Sequence, residues 1–125
     1  MKYTADSTEA VQAHSNLGLL LVDLNDLKGA KEQFTAALQI NPDKQNSLLG
    51  RGIVEFRQGD LDAAASDLSR AAKIAPLAQA DFWLGRALED KGQAQAAAAA
   101  YEAALQLAPG MVEAQQRLSA TRGGH

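Results

Sequence analysis

Proline occurs three times in the 125 residues, at Pro42, Pro76 and Pro109, and glycines recur in step with it at Gly18, Gly52 and Gly85. Both sets are spaced by 34 and then 33 residues. Two residue types with different backbone roles sharing one period mark an internal repeat. Small residues keep the step: Ala30, Ala64 and Ala97 follow the glycines by 12, and Ala37, Ala71 and Ala104 by 19. Bulky Phe34, Leu68 and Tyr101 stand between them. Each unit reads as a helix with a glycine where a neighbour packs close, a short turn, and a second helix that stops before proline, which cannot continue the helical hydrogen-bond ladder.

The turns agree with that reading. Asn25-Asp26, Gly59-Asp60 and Gly92-Gln93 separate the helices of each unit, with Asp26 and Asp60 placed to accept the first free amides of the second helix. At the front, Asp6 and Glu9 have the spacing of a capping box, which predicts a first helix from about Ser7. The chain divides into a lead (1–10), three repeats (11–44, 45–77 and 78–111) and a terminal segment (112–125).

The pattern Leu17-Gly18, Ala30, Phe34, Ala37, Pro42, with its two echoes, resembles the tetratricopeptide repeat over about four-fifths of the chain. That resemblance implies an all-α fold: a right-handed α-solenoid of three antiparallel helix pairs plus a capping helix, with the first helix of each pair lining a concave groove. Residues 110–121 fit the cap. Met111, Ala114 and Leu118 form a narrow apolar stripe, and Glu113, Gln115, Gln116 and Arg117 a wetted back, which is what ends a solenoid core.

Composition removes several functions. There is no cysteine, hence no disulfide, thiolate nucleophile or cysteine-ligated metal. Twelve basic residues against 15 acidic ones, scattered singly, lack the clustered cations that nucleic-acid binding requires. The longest apolar run, 17–22, is too short to span a bilayer. The first seven residues lack the apolar core of a secretory signal, so the chain is read as cytoplasmic or as a domain cut from a longer, exported protein; 123–125 read as an added remnant. No phosphate-binding loop, nucleophile elbow or paired histidines appear; Gly50-Arg51-Gly52 opens no dinucleotide fingerprint, because Glu55 stands at its third glycine and no strand precedes it. The expectation is a chain without catalysis, cofactor or metal.

Three places depart from the family pattern. His14 stands where the family usually has tryptophan and reads as a hydrogen-bonded packing residue, since the other histidine is the terminal His125. Arg51 and Glu55 replace the apolar pair represented by Leu17 and Leu21; they are one turn apart and able to pair, and Asp67 is placed to reach Arg51 across the hairpin. The one-residue shortening before Gly85 puts Asp81 at an apolar position in the first turn of its helix, where the dipole tolerates a carboxylate.

First-helix positions pointing away from the second helix follow from adding three or four residues at a time. They predict a partner-binding groove of Ser15, Leu19, Val22, Leu49, Ile53, Phe56, Arg57, Phe82, Trp83, Arg86 and Glu89. Phe56, Phe82 and Trp83 either pack between adjacent first helices or anchor a partner, and Gly50 leaves a gap that admits a partner's side chain or close helix contact. Cochaperones of the resembled family grip a terminal carboxylate with Lys, Asn and Arg at positions that fall here on Ser15, Leu19, Gly50, Phe82 and Arg86; only Arg86 matches. The expected function is a non-catalytic scaffold that binds a protein or peptide segment through apolar anchors. The alternatives are a self-assembling homo-oligomer, or an adaptor segment of a larger bacterial envelope or secretion protein.

Overall fold

A computed structural model describes residues 5–123, so the readings of the signal-free start and of the terminal His125 lie outside the described residues. Within them the chain is seven helices: α1 (Ala5–Asp23), α2 (Leu27–Ile40), α3 (Gln45–Arg57), α4 (Leu61–Ile74), α5 (Ala78–Asp90), α6 (Ala94–Leu107) and α7 (Val112–Gly123). α1 with α2, α3 with α4 and α5 with α6 form hairpins, stacked in chain order and closed by α7 on α6. Neighbouring first helices also touch, α1 with α3 and α3 with α5, which places them on the inner side of the stack.

Each hairpin turns through one residue in the left-handed region: Asn25 (φ 61°), Gly59 (φ 82°) and Gly92 (φ 84°). The amides that follow reach back to the last helical turn. Asp26 donates to the Leu21 carbonyl at 2.8 Å, Asp60 to Glu55 and Gln93 to Leu88 at 2.9 Å, so the orphan carbonyls are satisfied identically three times. The second helices end two residues before proline, at Ile40, Ile74 and Leu107, and the capping residues between, Asn41, Ala75 and Ala108, leave the helical region (ψ 94°, 152° and 80°), as a following proline ring demands.

The period exists to seat one bulky side chain per hairpin. Phe34, Leu68 and Tyr101 are each 0% exposed. A Cβ added at Gly18 would lie 2.7 Å from the Phe34 ring, at Gly52 2.6 Å from Leu68, and at Gly85 2.6 Å from Tyr101. Phe34 also rests on the next hairpin: a Cβ at Gly50 would stand 2.5 Å from Cζ. The gap read at Gly50 is therefore filled by the fold itself, because glycine lets the α3 backbone approach the ring.

Four sequence expectations change. α1 already contains Ala5 and Asp6, so Asp6 is not its cap; nothing in 5–10 breaks a helix, and the helix runs past the expected start. Asp26 caps α2, accepting from the Gly29 amide at 3.0 Å, but Asp60 makes no such bond although its backbone is nearly the same (φ −87°, ψ 78° against −91°, 79°). The difference lies three residues on: the Asp26 carboxylate occupies the space a Cβ would take at Gly29, and repeat two has Ala63 there. On the cap, Ala114 is buried and Met111 and Leu118 pack beneath it, but Arg117 turns inward to Glu89 instead of joining the wetted back. Leu17, expected inside, is 42% exposed.

Candidate functional site

The first-helix face is continuous across α1, α3 and α5. Leu19 is 51% exposed, Arg57 is exposed, and Val22, Leu49, Ile53, Phe56, Trp83 and Arg86 are half-buried. At its centre Phe56 and Trp83 meet edge to face, centroids 5.6 Å apart. The Arg86 guanidinium stands 5.2 Å from the Phe56 centroid and 6.0 Å from that of Trp83, while its Nε is buried without a hydrogen-bond partner. A cation held over two rings is attracted by their quadrupoles. Sequence reasoning named these residues individually; their convergence into one aromatic and cationic cluster is tertiary information.

Three residues of the expected groove are used by the fold. Ser15 is 1% exposed, and its hydroxyl meets that of Ser47 at 2.6 Å, tying α1 to α3. Phe82 is 5% exposed and packs with Tyr101, Ala104 and Ala114, its ring 5.9 Å from that of Tyr101. Phe82, in the register of Leu49, turns toward the cap, and Trp83 meets Phe56 of α3 instead. Glu89 accepts from the Tyr101 hydroxyl at 2.7 Å and pairs with Arg117 of α7. Burial disfavours the Glu89 carboxylate, but the bonds from Arg117 and Tyr101 outweigh it and hold it below the usual glutamate range. The Tyr101 hydroxyl is pushed up by burial and by donation to Glu89.

The charged residues inside the second repeat sit behind this face. Arg51 forms a bidentate pair with Asp67, at 2.7 Å from Nε and 2.9 Å from Nη2, so its fork is satisfied across the hairpin and not by Glu55 one turn away. Glu55 turns to Lys31 at 3.4 Å, and its Oε1 is buried without a donor. Burial, together with the neighbouring Asp67 carboxylate, pushes Glu55 up to about 8. Burial opposes ionisation of Asp67 as well, but the bonds from Arg51 hold it below the usual aspartate range. At neutral pH a protonated Glu55 beside an ionised Asp67 is thus the stable arrangement, and the cluster reads as structural. His14 Nδ1 meets Gln33 Oε1 at 2.8 Å, a hydrogen bond between the helices of the first hairpin. Burial raises Asp81 in the first turn of α5. A depression of about 420 Å³ lined by Lys28, Lys31, Thr35, Gln39 and Gln58 lies on the second-helix side and shares no residue with the inner face.

The tetratricopeptide repeat family model matches residues 15–79 and 76–112. The chain belongs to the tetratricopeptide repeat family. Among curated proteins, tetratricopeptide repeat protein 8 of Caenorhabditis elegans is 43% identical over 51 residues, covering 41% of this chain and 10% of that protein. The BBSome complex member BBS4 of Xenopus tropicalis is 34% identical over 61 residues, 49% of this chain and 12% of that protein. The chain thus spans about a tenth of these relatives' length. Among solved structures, the Arabidopsis OM64 tetratricopeptide domain superposes with a TM-score of 0.92 at 21% identity, covering 95% of this chain and 99% of that one. The first tetratricopeptide domain of Spaghetti, bound to an HSP90 peptide, gives 0.90 at 20% identity, with 93% of each chain covered. These likenesses establish the solenoid. Tetratricopeptide domains are protein-interaction modules, and no helix of the described residues is long and apolar enough to cross a membrane.

Proposed function

We propose that this tetratricopeptide domain is a non-catalytic module that holds a peptide or protein segment along the inner face of α1, α3 and α5. The observation that carries the reading is the Phe56–Trp83–Arg86 cluster: two half-buried rings under a guanidinium whose Nε has no hydrogen-bond partner, flanked by Leu49 and Ile53. Such a surface fits a segment with apolar anchors and a carboxylate at the position of Arg86. Phe82 no longer belongs among the anchors, since it supports α7. The carboxylate clamp carried over from cochaperones has only Arg86 matching, so an HSP90 peptide like that of the Spaghetti complex is not the expected ligand despite the shared fold.

The test uses Trp83, the sole tryptophan. Amphipathic peptides bearing acidic residues beside Leu or Phe are screened for a change in its fluorescence. The best binder is then measured by calorimetry against wild type, Ile53→Asp and Arg86→Ala. Affinity should fall at least tenfold in both variants, about 1.4 kcal/mol or more. Undiminished binding to both would remove the inner face as the site.

A further inference from the structure

The repeat allows α1 to be compared with α3 and α5 position by position. Facing the preceding hairpin, α3 carries Ser47 and Val54 and α5 carries Ala80 and Ala87, all 0% exposed. The preceding hairpin covers both pairs: Ser47 bonds to Ser15 of α1 and Val54 packs with Ala30 and Phe34 of α2, while Ala80 packs with Ala71 and Ala87 with Ala64 and Leu68 of α4. The counterparts on α1, 34 residues before Ser47 and Val54, are Ala13 and Leu20; Ala13 is exposed and Leu20 is 52% exposed. Leu17 (42%) and Leu24 (67%) continue the same stripe at helical spacing. The other end of the stack differs, since the outward side of α7 carries exposed Glu113, Gln115, Gln116 and Ser119 around a single exposed Val112. One end is mostly polar and the other presents a stripe of leucines.

We propose that the Ala13–Leu17–Leu20–Leu24 stripe is a docking surface for the second helix of another tetratricopeptide hairpin, outside this chain's own three. The chain itself shows twice what covers this face: a helix whose ridge is a bulky apolar residue between alanines, Ala30–Phe34–Ala37 on α2 and Ala64–Leu68–Ala71 on α4. A ridge of that chemistry continues the α2–α3 and α4–α5 interfaces by one step. A second copy offers none, because its α2 and α4 ridges are enclosed and its α6 lies under α7, fastened by Arg117 to Glu89 and by Arg122 to Glu102. The stripe faces away from the inner groove, so its fate is independent of the Phe56–Trp83–Arg86 reading.

The peptide spanning residues 60–76, which is α4 with its flanks, serves as the probe against the full chain with leucine methyls observed by NMR. Isolated helices of this length are marginal, so binding is weak and methyl shifts suit it. Saturable shifts at Leu17, Leu20 and Leu24 are expected. They should weaken at least tenfold in Leu20→Glu and in Leu24→Glu, both part-exposed and so neutral for folding, and vanish when the peptide carries Leu68→Asp. Absence of shifts at millimolar peptide, or shifts confined to Leu19 and Leu49 on the inner face, would overturn the assignment. So would a dimer seen by sedimentation without peptide and dissociated by Leu20→Glu, which would give the face to a second copy.

Discussion

Replacing Gly50 by alanine tests the packing that gives this chain its period. Alanine is the better helix former by about 1 kcal/mol, so at an open helical site the change stabilises. Here the new Cβ would stand 2.5 Å from Cζ of Phe34, about 1 Å inside ordinary contact. The ring has nowhere to retreat: a Cβ at Gly18 would already lie 2.7 Å from it, and Phe34 is wholly buried. Relief requires α2 and α3 to part, an overpacking strain of about 2–3 kcal/mol. Setting the helix gain against it leaves a net loss of about 1–2 kcal/mol. At about 4 °C per kcal/mol for a chain of this size, Tm falls by roughly 4–8 °C. Thermal and urea unfolding followed by far-ultraviolet circular dichroism measure it. A double-mutant cycle with Phe34→Leu should show a coupling of at least about 0.5 kcal/mol, because the smaller side chain gives the methyl room. A rise in Tm for Gly50→Ala, or a cycle without coupling, would refute the close approach.

Four further outcomes follow from the polar groups. Glu55, raised to about 8 from an ordinary 4.5, keeps its proton in the folded state where the unfolded chain has released it, so stability falls as pH rises from about 4.5 to about 8; urea midpoints across that range should show the decline, and Glu55→Gln should flatten it. Asp67 and Glu89, both lowered, act oppositely: their contribution is present above about pH 4 and lost on further acidification. Ser15→Ala leaves the Ser47 hydroxyl buried without its partner and should cost about 1–3 kcal/mol in chemical unfolding, most of it recovered when Ser47→Ala is added. Arg117→Ala cuts the tie between α7 and α5; because Arg117 is part-exposed the loss of global stability should stay within about 1 kcal/mol, but hydrogen exchange of the α7 amides should accelerate well beyond that of α3.

The sequence by itself determined the architecture. A period shared by proline, glycine, alanine and one bulky residue has a single physical solution, in which each bulky side chain seats on a glycine and each proline ends a helix, and Phe34, Leu68 and Tyr101 do that in the folded chain. The turn residues were equally legible, because a left-handed φ at Asn25, Gly59 and Gly92 is a local requirement. What the site would present was only half written there. Helical spacing fixed which positions leave the second helix, and in the folded chain Leu49, Ile53, Phe56, Trp83 and Arg86 are half-buried. It did not separate Trp83 from Phe82, because the docking of α7 draws the Phe82 ring into a cluster with Tyr101, Ala104 and Ala114. Nor did it show that Glu89 is claimed by Arg117 and Tyr101, that Ser15 is claimed by Ser47, or that Arg51 chooses Asp67 over Glu55. Those choices rest on distances between residues far apart in sequence, where the second-best partner is also within helical reach. Local chemistry sets the period and the turns; only the assembled stack decides which polar and aromatic side chains are consumed in holding it together and which remain on its surface.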